Sequence, residues 1–305
     1  MSEIYKRMGM GWLPDYPDFR DYTVNHDALT QRLRVRGQRD TIKTMLEKAG
    51  AAEIKEKDLS KTVDLRQWCP PIENQETLGS CTAQAGVGLV EYFEIRSFGR
   101  HIDASRLFLY KTTRNLMRET GDTGAYIRLT MGAMVLFGVP PEAYWPYEIE
   151  RFDDEPGAFC YAFAQNYQSL SYYRLDPQGT PPEDLLGRIK TNLAAGLPSM
   201  FGFSVYSSIV QAENTGRIPF PTPLEWLMGG HAVMTVGYDD ALEITNSNPG
   251  STTTTGALLI RNSWGTEWGE EGYGWLPYEY VLSGLAVDWW SLLKNEWIDT
   301  GQFKM

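Results

Sequence analysis

Apolar residues recur at two spacings along this chain, and the change from one to the other divides it. From Cys81 the run "CTAQAGVGLVEYFEIRSFG" puts Val87, Val90 and Phe93 on one stripe and Ala85, Leu89 and Tyr92 on a second. Steps of three and four residues are helical. Apolarity around so much of the circumference predicts a buried central helix, stopped at Gly99. The same reasoning predicts helices over residues 105–116, over residues 126–137 before Gly138 and Pro140, and over residues 182–195 before Gly196. Beyond Tyr167 short β-rich runs take over: residues 172–175, "SMFGFSV", "HAVMTVGY", "GALLIRNS" and "GYGWLPY". Helices first and strands second predict an α+β fold with two segregated lobes.

The N-terminal part follows neither pattern. Residues 1–26 are rich in Pro, Asp, Tyr and Gly and read as extended loop. Residues 29–59 are polar, with scattered apolar positions at Leu33, Ile42, Leu46 and Ile54. They predict one or two amphipathic helices broken near Gly37 and Gly50. Charge marks the same division. The net charge of -11 speaks against nucleic acid as a partner, yet the first 61 residues sum to +2. Basic residues peak at Arg32, Arg34, Arg36 and Arg39. A basic arm docking on an acidic body and a solvated helix face both fit that run.

Three cysteines, Cys69, Cys81 and Cys160, do not make a disulfide framework in 305 residues. Whether Cys69 and Cys160 pair is left open. The first residues hold no apolar stretch of signal-peptide length, and nothing approaches the roughly 20 apolar residues of a membrane span. The expectation is a soluble, cytoplasmic, monomeric protein with no membrane partner. No metal-ligand spacing, phosphate loop or dinucleotide motif occurs, so neither metal nor cofactor is expected. "GVG" at residues 86–88 lies inside a helix and suits close helix packing.

Cys81 changes the picture. It follows Gly79-Ser80 and opens the central helix, where unpaired N–H groups and the helix dipole favour a thiolate. His231 begins one strand and Asn262 ends another. An antiparallel register that places them opposite each other also pairs Gly237 with Gly256, with residues 239–255 as an excursion between the strands. The amide would then accept from one ring N–H and leave the other ring nitrogen facing a thiol, the arrangement of nucleophile, base and orienting group. A small buried cysteine and two strand residues with structural roles is the blander reading of the same three positions.

"NQETLGSCTAQA", "GGHAVMTVGYDD" and "LLIRNSWGTEWGEEGYGWL" resemble the papain-like cysteine peptidases. Cys81 to His231 is 150 residues, within that family's spacing, and Asn262 follows 31 later. "VDLR" at residues 63–66 resembles the start of the mature enzyme, and "YWPY" at residues 144–147 its Tyr-Pro-Tyr corner. The resemblance implies a helical lobe over about residues 61–166 and a barrel-like antiparallel lobe over about 167–290, with a cleft between them and a tail at 291–305. It implies Cys81 as nucleophile, His231 as its ion-pair partner and proton donor, Asn262 as orienter, and Gln75 with the Cys81 N–H as oxyanion donors. Trp264 would shield the His–Asn bond. Gly124, Ala125 and Gly230 would line the cleft, the first two pairing antiparallel with an extended peptide or protein substrate. Trp289 or Trp290 would border a pocket for an apolar substrate side chain.

The chain departs from the family in places. Thr82 stands where an aromatic residue is usual, and Leu78 where a cysteine is. Residues 1–60 lack the spaced helical pattern of longer propeptides, and "GWLPDYPDFRDY" resembles a short bacterial leader. That segment is expected to cross or border the cleft and restrain activity, as in a zymogen, or to pack as a plain extension. The function implied is a cysteine endopeptidase working through a Cys81 thioester. An acyl transferase or amidase on the same dyad, and a silent binding protein plugged by its own N-terminus, are the alternatives.

Overall fold

In the computed structural model, residues 8–35, 37–52, 54, 58–167 and 171–303 are described. Two short helices, α1 (Gln31–Val35) and α2 (Ile42–Lys48), precede strand β1 (Thr62–Asp64). Helices α3 (Cys81–Phe98), α4 (Arg106–Met117), α5 (Ile127–Leu136) and α6 (Ala158–Ala164) follow. Then come β2 (Ser171–Arg174), α7 (Pro182–Ala194), β3 (Ser199–Tyr206), β4 (Leu227–Thr245), β5 (Thr253–Arg261), β6 (Tyr273–Pro277), α8 (Tyr278–Leu282), β7 (Ala286–Leu293) and α9 (Asn295–Ile298).

The helix ends obey local chemistry. α3 terminates on Gly99, which takes the left-handed conformation at φ 69°. Ser105 caps α4 by accepting the Phe108 N–H at 3.1 Å. α7 opens with Pro182, then Glu183 and Asp184 in its positive first turn. α3 is buried over most of its surface. Gly86 lets it close against Leu109 of α4 and Thr130 and Met134 of α5, where a β-carbon would sit 3.2–3.4 Å from their side chains. Gly88 turns instead toward Arg261 and Met234 of the sheet.

The sheet is open and antiparallel, in the order β2-β7-β3-β4-β5-β6, and β1 adds to β4. Its β4–β5 register differs from expectation. Met234 pairs with Arg261 and Thr235 with Ile260, so Asn262 falls two positions away from the place opposite His231, and Gly237 pairs with Leu259. The register shifts twice, at 235/237 and at 239/243, and bulges of this kind leave no mark in an alternating pattern. The expected excursion is itself strand: β4 runs on to Thr245 and pairs there with Thr253. Because the offset near the site is two residues, both side chains keep the same face.

In the expected basic run, Arg36 and the Arg32 side chain lie outside the described residues. Arg39 forms an exposed ion pair with Asp299. All three cysteines are free, so Cys69 and Cys160 do not pair. No helix among the described residues is long and apolar enough to cross a membrane.

Candidate active site

The tip of α3 brings Cys81 against β4. The backbone N–H groups of Ala232, the residue after His231, and of Gly11 face its sulfur and favour its charged form. His231 Nε2 bonds Asn262 Oδ1 at 2.8 Å, and that oxygen also accepts the Ser263 N–H at 2.8 Å. An oxygen with two incoming donors fixes the imidazole proton on Nε2. Nδ1 keeps its lone pair and has no hydrogen-bond partner. Trp264 stacks on His231, with ring centroids 4.4 Å apart and planes 20° apart.

Gln75 is fully buried and fixed at both ends of its amide. Its Oε1 accepts from Ser263 Oγ at 2.6 Å, and its Nε2 donates to Leu78 O at 2.8 Å. Tyr147, in the aromatic corner read from the sequence, donates to the Gln75 carbonyl at 3.0 Å. On the other rim, Asp122 accepts from Gly79 N at 3.0 Å and from Tyr110 Oη at 2.5 Å, while Tyr110 Oη accepts from Gly124 N at 3.1 Å. That chain of bonds holds Gly124 and Ala125 beside the loop leading into Cys81. Asp122 and Ser263 were not singled out as site residues. Ser263 does lie inside the quoted Asn-Ser-Trp-Gly stretch, and Asp122 two residues before Gly124.

Residues 9–13 lie across this constellation. The Gly9 N–H donates to Glu76 O at 3.0 Å, and Trp264 Nε1 donates to Gly9 O at 3.0 Å. Ala125 N donates to Gly11 O at 2.7 Å and Leu13 N donates to Ala125 O at 3.0 Å, a parallel pairing of Trp12 with Ala125. Trp12 N donates to Gly230 O at 3.1 Å. Fit is close at the glycines. A β-carbon on Gly11 would stand 2.0 Å from Gly79 O, and one on Gly9 2.6 Å from Leu78 O. Asp15 and Asp21 anchor the stretch by ion pairs to Arg128 of α5, and Tyr22 O accepts from Arg174 N at 2.7 Å.

The cover decides the protonation of the pair. Cys81 and His231 are both fully buried. Burial pushes the thiol up to about 11, against the backbone N–H groups that pull it down. Burial also pushes the imidazole down to about 4, although the Asn262 bond favours its charged form. The helix N-terminus was expected to ease thiol ionisation. Burial outweighs it and favours the neutral forms of both groups.

The comparisons with known proteins agree with this geometry. The model of the papain family cysteine proteases matches residues 59–285. The chain belongs to that family. As a member it is a cysteine peptidase, a hydrolase acting on peptide substrates. It is 34% identical over 292 residues to the "Uncharacterized peptidase C1-like protein L477" of Acanthamoeba polyphaga mimivirus, covering 92% of this chain and 85% of the viral one. To human Cathepsin L2 it is 27% identical, covering 71% of this chain and 60% of that protein. Among solved structures, Xylellain, a cysteine protease from Xylella fastidiosa, superposes with a TM-score of 0.71 at 32% identity, over 94% of this chain and 96% of that one. The Carica candamarcensis protease CMS1MS2, solved with E-64, shares the fold at 23% identity and a TM-score of 0.55, over 78% of this chain and 100% of that one.

Proposed function

We propose that this peptidase is an endopeptidase held latent by its own N-terminal segment, and that Cys81, His231, Asn262 and Gln75 perform the chemistry. The observation that carries the reading is the seat of Gly11 on the Cys81 sulfur. The segment offers the nucleophile an N–H, not a carbonyl carbon. It also runs parallel to Ala125, whereas a substrate is expected to run antiparallel. An uncleavable chain therefore fills the groove. The groove takes polypeptide on both sides of Cys81, residues 9–10 on one and 12–13 on the other. That supports cleavage within chains.

Release of the segment lets water reach sulfur and imidazole, and the proton moves from Cys81 to His231 Nδ1. The thiolate attacks the substrate carbonyl carbon. The developing oxyanion is met by Gln75 Nε2 and the Cys81 N–H. The imidazolium gives its proton to the departing amine as the C–N bond breaks, leaving a thioester on Cys81. Water, deprotonated by His231, then hydrolyses the thioester and restores the thiol. Three unbridged thiols fit the reducing cytoplasm as the place where this happens.

Labelling by a peptidyl epoxide tests the reading. The natural chain should label slowly and Gly11→Ala at least tenfold faster, because the added β-carbon cannot be seated. Cys81→Ala should not label at all. Equal rates for the natural chain and Gly11→Ala would refute latency, and labelling without Cys81 would refute the nucleophile.

A further inference from the structure

The loop before the nucleophile, residues 75–80, is neither helix nor strand. Its second residue, Glu76, holds a left-handed φ of 54°, a conformation that favours glycine. A loop of this kind keeps its shape only where it is tied. Some ties join neutral groups. Asn74 Oδ1 accepts the Glu76 N–H at 2.9 Å, Leu78 O accepts the Ser80 N–H at 2.8 Å, and the Tyr147 hydroxyl lies 2.7 Å from Ser80 Oγ. Another comes from a carboxylate on the opposite rim. Both oxygens of Asp122 accept the Gly79 N–H, at 3.0 and 3.1 Å.

That bond reaches Gln75 through a single peptide group. The Gly79 N–H and the Leu78 carbonyl belong to one planar trans unit and point to opposite sides of it. Asp122 holds the N–H edge. The carbonyl edge accepts from Gln75 Nε2 at 2.8 Å. Rotation of the plane would therefore break the bond to the carboxylate and the bond that aims the amide together. A carboxylate on the N–H also polarises the peptide toward its oxygen, which strengthens the acceptor that Gln75 uses. One N–H of the Gln75 amide is thus committed to Leu78, and the other is left for the oxyanion.

Asp122 is in turn placed from α4. Arg114, fully buried, donates to Gly121 O and to Asp153 Oδ1, the latter at 2.7 Å, and Asp153 Oδ2 accepts the Gly121 N–H at 2.9 Å. Tyr110 donates to Asp122 at 2.5 Å, and the Arg114 guanidinium lies over its ring at 4.3 Å. Asp122 itself is exposed, so it fills no part of the core.

We propose that Asp122 is a positioning residue for the hydrolysis: it holds the Leu78–Gly79 peptide in the orientation that aims the Gln75 amide at the developing oxyanion. The inference rests on the oxyanion role given to Gln75 above and names the group that presets it.

The test is a double-mutant cycle in full-length Gly11→Ala, read with a blocked dipeptide coumarin amide. Asp122→Ala should lower kcat about tenfold with KM little changed, because a misaimed donor is felt only in the transition state. Asp122→Asn keeps an oxygen for Gly79 without the charge, and should lower kcat only about twofold to threefold. In Gln75→Ala the same Asp122→Ala change should cost less than about twofold, since the residue it acts through is gone. Alkylation of Cys81 by the peptidyl epoxide forms no tetrahedral oxyanion, so Asp122→Ala should label as fast as its parent. Should Asp122→Ala not fold, the cycle is run with Asp122→Asn, whose smaller loss should likewise vanish in Gln75→Ala. An equal loss with and without Gln75, slower alkylation, or an unchanged kcat in Asp122→Ala would each overturn the inference and leave the role of Gln75 standing. A Gln75→Ala variant as active as its parent would overturn both.

Discussion

Trp264 is shared between the candidate catalytic pair and the segment that covers it. One face of its indole stacks on His231 at 4.4 Å between centroids, and its Nε1 holds the Gly9 carbonyl at 3.0 Å. The two duties separate by substitution. In full-length Gly11→Ala, Trp264→Ala strips the cover from the 2.8 Å His231–Asn262 bond, and water then competes for it. A fall in kcat of about tenfold or more is expected. Trp264→Phe keeps a ring over the imidazole but loses the bond to Gly9. In the otherwise natural chain it should raise the rate of epoxide labelling.

Gln75 gives a sharper kinetic signature. Its amide is fixed by Ser263 and Leu78, so it is aimed before substrate arrives. Gln75→Ala in the Gly11→Ala background should lower kcat by about two to three orders of magnitude, the usual effect of removing one oxyanion donor. KM should change little, because the donor acts on charge that appears only in the transition state. A matched rise in KM with kcat preserved would show that Gln75 binds ground-state substrate instead.

Most of this candidate group was legible in the sequence, because a helix tip, two strands and a glutamine at fixed spacing announce themselves through residue type. The detail of their meeting was not. The expected register placed Asn262 directly opposite His231, whereas the observed pairing of Met234 with Arg261 sets it two residues away. Only the twofold period of strands kept the amide on the same face. Trp12 was harder still. It lies in a Pro- and Asp-rich stretch that reads as loop, and a loop pattern does not say which residue is buried. β7 was hidden for another reason. "DWWSLLKNEW" looks like aromatic packing, and Asp288 enters it with a left-handed backbone that no strand template anticipates.

The imidazole itself should report the state of the cover. In the natural chain His231 is held down to about 4 by burial, so it stays neutral from pH 8 to 5 and charges only as pH falls through about 4. A histidine whose folded pKa lies below its unfolded value of about 6.5 weakens the folded, covered form as pH drops between those two values. Nitrogen-15 spectra of histidine-labelled protein should show this late titration for His231. In Gly11→Ala the same signal should move to a higher pKa, with the ring charged at neutral pH opposite the thiolate. Identical titration curves in the two proteins would count against desolvation by the segment.

Arg174 of β2 ties β7 and the N-terminal segment together through Asp288 and Asp21. Its guanidinium is buried among Asp176, Asp288 and Asp21, at 2.9, 3.3 and 3.7 Å. Arg174→Ala would strand buried carboxylates without a cation, a change that typically costs about 3–5 kcal/mol. Urea unfolding should register that loss. Arg174→Lys should recover only part of it, because an ammonium cannot reproduce the planar contact with Asp176. Unchanged stability in Arg174→Ala would mean the carboxylates are protonated at the working pH.

Gly11 also has a genetic consequence. Every single-base missense change of a glycine codon encodes a residue with a β-carbon, and at this position that atom would fall 2.0 Å from the Gly79 carbonyl. Under the latency proposed above, point mutation there has one direction open to it, toward a constitutively active protease. Purifying selection on codon 11 would therefore guard against self-digestion, at a residue that supplies no group to the reaction.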